Sequence, residues 1–126
     1  MSSVTIMTSM FRQALAFNAD LSKWHVSRVT DMGLMFGEAT SFNADLSKWD
    51  VSSVTSMQAM FAEAIYFNSD LSKWDVSSVT EMANMFNGAS SFKQTLCGAR
   101  FTSTADKEGM FEGSSGRICR KTPTTD

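Results

Sequence analysis

The sequence lacks most of the features by which a function is usually assigned. Its formal net charge is −2, without the clustered Lys and Arg of a nucleic-acid-binding protein. It has no run of about 18 apolar residues, the length needed to span a membrane. Walker, GxGxxG, HExxH and GxSxG motifs are also missing. We therefore expect no nucleic-acid partner and no membrane span.

Side chains suited to catalysis are scarce. The single histidine, His25, has no cysteine or serine-type nucleophile at a recurring position near it. A catalytic role needs a positioned partner and a pocket. We therefore expect no enzyme, no catalytic residue, no metal and no cofactor.

The two cysteines, Cys97 and Cys119, lie only in the C-terminal part and in no CxxC motif. They are either two free thiols or one disulfide. We favour the disulfide because both lie where the repeat pattern decays and a terminal repeat needs a cap. Such a bond would stabilise that repeat by about 3 kcal/mol.

What the sequence does contain is a repeat with a fixed period of 25 residues. Its clearest copy, FNADLSKWDVSSVTSMQAMF, covers residues 42–61. The recurring aromatic positions are Phe17, Phe42, Phe67 and Phe92; Trp24, Trp49 and Trp74; and Phe11, Phe36, Phe61, Phe86 and Phe111. A period of roughly 20–50 residues is typical of solenoids, in which each repeat buries its apolar face against its neighbours.

Each repeat divides into a predicted strand and a predicted helix. In residues 46–51, LSKWDV, the apolar residues are Leu46, Trp49 and Val51, and Trp-Asp-Val alternates as in a short half-buried strand. In residues 54–64 the apolar side chains recur every three or four positions, as on one face of a helix, and Thr55 is a suitable N-cap. Asn68 and Asp70 suit the returning turn. We predict an α/β, leucine-rich-repeat-like solenoid of strand-turn-helix-loop rungs, with a parallel strand ladder on one face and short helices on the other.

These patterns predict one repeat domain, residues 1–116. It comprises a helical half-rung, 4–16; full repeats, 17–41, 42–66 and 67–91; and a divergent capping repeat, 92–116. Residues 117–126 are predicted to be a flexible tail. Because the first rung begins partway through the repeat, we interpret the chain as a fragment of a longer array.

Charged side chains recur on the predicted strand face. We expect the candidate partner-binding residues to be Lys23, His25, Lys48, Asp50, Lys73 and Asp75. A second acidic column holds Asp20, Asp45 and Asp70. Stacked carboxylates either bind Ca²⁺ or cap turns and pair with the lysines, and we favour the second interpretation. The column Asn18, Asn43 and Asn68 is expected to form an internal hydrogen-bond ladder to backbone.

The pattern LSKWDVSSVTxMxxMFxxAxxFN, across roughly residues 4–111, resembles the BspA-type leucine-rich-repeat superfamily. The resemblance is to its 25-residue form, found in surface lipoproteins of cell-wall-less bacteria and in microalgal proteins. It implies a horseshoe or short superhelix, no catalytic residues, and a role in cell-surface adhesion or protein–protein contact. The first copy has His25 at the position where the other copies have Asp50 and Asp75, so the candidate binding residues do not repeat uniformly.

Three hypotheses for function remain. The first is a non-enzymatic module that binds a protein or glycan through the strand face. The second is a structural spacer that self-associates through its end rungs. The third, less favoured because charges flank the Ser and Thr columns, is binding to ice or mineral. The compartment is not defined, although a fragment of a secreted array would lie outside the cell or on its surface.

Overall fold

A computed structural model describes residues 4–96 and 105–118 of the chain. Those residues form two short strands, β1 (Thr95–Leu96) and β2 (Arg117–Ile118), and no helix. The strands pair in parallel, with Thr95 opposite Arg117 and Leu96 opposite Ile118. The predicted α/β solenoid, with helices on one face and a parallel strand ladder on the other, is therefore wrong.

Successive 25-residue segments, which we name rungs, nevertheless stack on one another. Alternate backbone N–H groups of one rung donate to carbonyl groups of the next, at 2.7–2.9 Å. Between the first two rungs, for example, Ser9 N–H donates to Gly33 and Phe11 N–H to Met35. Isolated parallel bridges run in one column through Ile6, Asp31, Ser56, Glu81 and Asp106. We call these inter-rung hydrogen bonds the rung ladder; it runs through the segments that were predicted to be helical.

Left-handed backbone conformations explain why those segments are not helices. Positive φ angles occur at two positions of each rung, four residues apart: Ser9, Gln13, Leu34, Glu38, Ala59, Glu63, Asn84, Gly88, Gly109 and Gly113. For a residue other than glycine this conformation costs about 1–2 kcal/mol and cannot continue a right-handed helix. The ladder offsets that cost by giving alternate N–H groups a partner in the next rung.

The apolar spacing of the predicted helices was nevertheless informative. Met57, Met60, Phe61 and Ala64 are all buried, as the spacing of three and four residues predicts. Consecutive turns, with a left-handed residue at two positions four residues apart, direct the same positions inward. The pattern therefore identified the buried side chains and gave the wrong conformation.

The predicted strand LSKWDV is also absent. Trp49 N–H donates to the carbonyl of Leu46 at 3.1 Å, which closes a turn. Asp50 accepts from Ser52 N–H and closes the next turn. Leu46, Trp49 and Val51 are still buried, so their burial was predicted correctly and their conformation was not.

Stacked phenyl rings form the centre of the molecule. Within a rung, the ring centroids of Phe61 and Phe67 are 4.0 Å apart. Between neighbouring rungs, the centroids of Phe36 and Phe61 are 5.6 Å apart, and those of Phe42 and Phe67 are 5.9 Å apart. The rings are nearly parallel, and the inner ones are fully buried. One core is therefore continuous from rung to rung.

The two ends of the stack differ. At the C-terminal end a Cβ on Gly116 would overlap the Phe92 ring, so only glycine lets the chain cross that ring. Arg117 and Ile118, predicted to begin the flexible tail, form β2. Cys97 and Cys119 lie outside the described residues, and so does the rest of the tail.

At the N-terminal end, apolar side chains remain exposed. Met10 is 43% exposed and Leu15 is 60% exposed, while Phe11 and Phe17 are half-buried. A long apolar helix of the kind that crosses a membrane does not occur in the described part of the chain.

Candidate functional site

Aspartates cap a series of tight turns on one side of the stack. Asp20 accepts a hydrogen bond from Ser22 N–H at 2.8 Å, Asp45 from Ser47 at 2.8 Å, and Asp70 from Ser72 at 2.9 Å. Each is an Asx turn, in which a short side chain replaces a backbone acceptor. Asp50 and Asp75 cap the following turns at 3.0 Å. The turn-capping part of the preferred interpretation of the acidic columns is confirmed.

Hydrogen bonds lower the pKa values of these carboxyls. The pKa of Asp20 lies below its ordinary value because the Ser22 backbone and hydroxyl stabilise the ionised form, with smaller help from Lys23 and Lys48. The hydrogen bond from the serine backbone also lowers the pKa of Asp45 and of Asp70 most, and the bond from the serine hydroxyl comes second. For Asp50 the Ser52 hydroxyl lowers the pKa most, at 2.6 Å. All four carboxyls are therefore anionic near neutral pH.

The lysine column lies within electrostatic range of the acidic column. Lys48 lowers the pKa of both Asp20 and Asp45, and Lys73 lowers the pKa of Asp70. Neighbouring aspartates act in the opposite direction: Asp45 raises the pKa of Asp70. The lysines therefore weakly oppose the repulsion between stacked carboxylates. Among the described residues, no ion pair within 4.0 Å joins Lys23, Lys48 or Lys73 to these aspartates, so the predicted pairing with the lysines is wrong.

The six candidate residues lie in this region, and we call them the charged turn row: Lys23, His25, Lys48, Asp50, Lys73 and Asp75. All are exposed except Asp75, which is intermediate. The Asp75 carboxylate raises the pKa of Asp50, so the two groups are close enough to interact electrostatically. The lysines and aspartates of the row lie on turns and not on the predicted strand.

A shallow groove of about 380 Å³ adjoins the row. Its lining residues are Asn18, Asp20, Ser22, Ala44, Asp45 and Lys48. Carboxylate, amide, hydroxyl and ammonium groups thus face one opening across two rungs. Such a surface suits a polar partner that both donates and accepts hydrogen bonds.

The asparagine column confirms the predicted ladder. Asn18 Oδ1 accepts from Asn43 N–H at 2.7 Å, and Asn43 Oδ1 accepts from Asn68 N–H at 2.7 Å. Asn68 continues the series by accepting from Lys93 N–H at 2.9 Å. Each side chain therefore bridges to the next rung and fixes the spacing beside the groove.

The threonines at one position of successive rungs, Thr30, Thr55 and Thr80, form a hydrogen-bond ladder and do not cap helices. Thr55 was expected to cap a helix, but its hydroxyl donates to the Thr30 carbonyl at 3.1 Å. Thr30 and Thr80 repeat this bond to the preceding rung, and all three side chains are exposed. The period alone was a signal for this ladder, because Thr recurs in register.

A second, smaller depression of about 250 Å³ lies beside the bridge column and includes Asp31, Ser56 and Glu81. No group of three metal-ligating side chains occurs within residues 4–96 and 105–118. Hydroxyl and carboxylate side chains line each of the two depressions. What both offer is polar contact at regular intervals.

Comparison with known proteins yields a family and no function. No curated protein and no solved structure matches the chain. One family profile does match, over residues 5–118, which is nearly the whole sequence. The chain therefore belongs to the family described as Mycoplasma protein of unknown function, DUF285.

Proposed function

We propose that this chain is a non-enzymatic interaction module that binds a protein partner through the charged turn row. The observation that carries the proposal is the arrangement of that row. Ammonium and carboxylate groups recur from rung to rung on turns held by backbone hydrogen bonds. The Asp50 and Asp75 carboxylates, which these bonds hold in place, lose little conformational freedom on binding, so preorganisation favours affinity.

The differences among rungs support the same function. The outward turn positions are uniform, as in Lys23, Lys48 and Lys73, whereas positions on the rung ladder vary, as in Gln58 and Ala83. Turn closure requires only the aspartates and serines. The lysines are exposed and close no turn. They weakly oppose the repulsion between the aspartates, and a repetitive partner would give a second reason for their uniformity.

The resemblance of the repeat to BspA-type surface proteins gives further support. That resemblance implies contact roles at the cell surface, and an extracellular location follows if the chain is part of a secreted array. The proposal includes no cofactor, no nucleic acid and no catalytic step.

The test keeps the turns closed and removes only the charges. One variant carries Asp50→Asn and Asp75→Asn, since an amide oxygen still accepts the capping N–H. A second carries Lys23→Gln, Lys48→Gln and Lys73→Gln. The matched control carries Glu63→Gln and Glu81→Gln, two exposed carboxylates away from the row.

Phage-displayed peptides selected on the immobilised wild-type chain serve as the probe, with an array of cell-surface glycans in parallel. We expect enriched peptides to bind the control normally and both row variants roughly tenfold more weakly, about 1.4 kcal/mol. Equal binding to all variants would remove the row as the binding site. Enrichment on the glycan array alone would replace the protein partner by a glycan.

A further inference from the structure

The two ends of the rung ladder carry complementary backbone groups. At the N-terminal end the carbonyls of Thr8, Met10 and Arg12 accept no hydrogen bond within the described residues. At the C-terminal end the N–H groups of three other residues donate none there: Gly109, Phe111 and Gly113. Three acceptors thus face one way along the stack, and three donors face the other.

These groups share the register of the inner junctions. Between the last two rungs, Asn84 N–H donates to Glu108 at 2.9 Å, Phe86 to Met110 at 2.9 Å, and Gly88 to Glu112 at 2.7 Å. The unpaired donors occupy the same repeat positions as the donors in those bonds. The unpaired acceptors occupy the same positions as the acceptors. A second copy set on the C-terminal end would therefore continue the ladder without a change of register.

We propose that copies of this chain associate head to tail, with the first rung of one copy completing the rung ladder at residues 109–113 of the next. The inference rests on the ladder ends and not on the charged turn row, so it stands apart from the proposed function. The contact is heterologous, and a heterologous contact that does not close on itself builds an open fibre.

The aromatic core continues across the same junction. Phe111 lies 5.5 Å from Phe86 and is half-buried, and Phe11 is half-buried at the opposite end. The Phe11 ring of a second copy would take the next place in this column, above Phe111. Met10, 43% exposed, would also be covered. Each new junction would thus bury apolar surface together with the backbone groups.

The charged side chains at the two ends of the stack favour head-to-tail pairing. Arg12 and Glu112 occupy the same repeat position, so a head-to-tail junction places them one rung apart. Within one chain the Arg12 guanidinium lies 3.7 Å from the Glu38 carboxylate of the following rung, so the side chain is long enough to span one rung spacing. At the junction it would lie between that carboxylate and Glu112 of the other copy. Two N-terminal ends facing each other would instead bring arginines together and oppose acceptor to acceptor. A second copy in head-to-tail orientation is the occupant that satisfies the backbone and the charges.

Charge reversal at the two ends tests the proposal on the full chain. The variants are Glu112→Lys and Arg12→Glu, and the control is Glu81→Lys, the same change at an exposed site on the side of the stack. Sedimentation velocity over a range of concentrations measures association, and circular dichroism checks folding. We expect the wild type and the control to associate in proportion to concentration. Each end variant alone should associate roughly tenfold more weakly, about 1.4 kcal/mol.

Mixing the two end variants provides the decisive measurement. The lysine introduced at the C-terminal end of one variant then meets the glutamate introduced at the N-terminal end of the other. The two unchanged ends also pair, as Glu112 with Arg12. We expect the mixture to regain the association of the wild type. A strictly monomeric wild type, an unaffected Glu112→Lys, or a mixture that stays dissociated would each overturn head-to-tail association.

Hydrogen exchange gives a readout at single residues. On association the amides of Gly109, Phe111 and Gly113 should gain protection, because they acquire acceptors. The amide of Arg117 already donates to Gln94 at 3.1 Å and should not change. Association without protection at these three amides would show a different interface and overturn the proposal.

Discussion

The indole Nε1 of Trp49 donates a hydrogen bond to the backbone carbonyl of Leu21, 2.9 Å away in the preceding rung. Trp74 repeats this bond to Leu46 at the same distance. Both indoles are almost fully buried, so a polar N–H is satisfied inside the core. The tryptophans therefore bond one rung to the next as well as fill space.

Replacing Trp74 by Phe should lower the free energy of unfolding by about 1–3 kcal/mol, from the lost hydrogen bond and the smaller ring. Urea denaturation measures the change. Trp24→Phe is the matched control, because Trp24 is half-buried at the N-terminal end and its Nε1 makes no hydrogen bond within the described residues. Equal losses in the two variants would show that the inter-rung bond contributes nothing.

Glycine substitutions at two alanines of one rung should change the free energy of unfolding in opposite directions. Ala59 has a φ of 54°, whereas Ala62, in the same rung and equally half-buried, has a negative φ. Ala59→Gly should raise the free energy of unfolding by up to about 1 kcal/mol, since glycine adopts positive φ without a steric penalty. Ala62→Gly should lower it by about 0.5–1 kcal/mol. Thermal unfolding of both variants measures the two changes in the free energy of unfolding. Changes of the same sign in both variants would contradict the assigned conformations.

The asparagine ladder depends on an acceptor and not on an amide as such. Asn43→Ala removes the oxygen that receives Asn68 N–H and should cost about 0.5–1.5 kcal/mol. Asn43→Asp keeps an acceptor oxygen and should recover most of that loss at neutral pH. Comparison of the urea midpoints measures both. A loss in Asn43→Asp as large as in Asn43→Ala would exclude the acceptor role.

The capped aspartates predict a pH dependence. The folded pKa values of Asp20, Asp45, Asp50 and Asp70 lie below the ordinary 3.8. The stabilisation is therefore complete above about pH 5 and falls as the pH drops through 3.8 toward the folded values. Urea midpoints between about pH 7 and about pH 2.5 should show this decline.

A variant with Asn at Asp20, Asp45 and Asp70 supplies the control for that dependence. Each amide oxygen still accepts its turn N–H, but the group no longer titrates. We expect the acid-induced decline to be smaller than in the wild type. An identical decline would mean that other carboxyls cause it.

Specific residues show how far the sequence predicted the structure. The period placed Phe36, Phe61 and Phe86 in one buried column, and the structure stacks them. It also predicted the asparagine ladder and the aspartate caps, because these bonds are local or recur with the repeat. Apolar spacing could not distinguish a helix from alternating turns, since both direct Met57 and Phe61 inward.

The candidate site was predicted as a set of residues but not as a surface. Repetition identified Lys48 and Asp50, whereas their position on turns, beside a groove shared with Asp20, required the fold. The threonine hydroxyl ladder was missed because a single Thr55 equally suits a helix cap. The unpaired ladder ends had no sequence signal, since they are backbone groups.

The sequence by itself determined which side chains are buried and that identical positions meet every 25 residues. It did so because burial and register follow from residue type and period. Only the tertiary structure decided the backbone conformation of each rung. Residues such as Leu34 and Glu38 accept left-handed angles because the next rung supplies partners for the N–H groups, and no local preference of those residues predicts that.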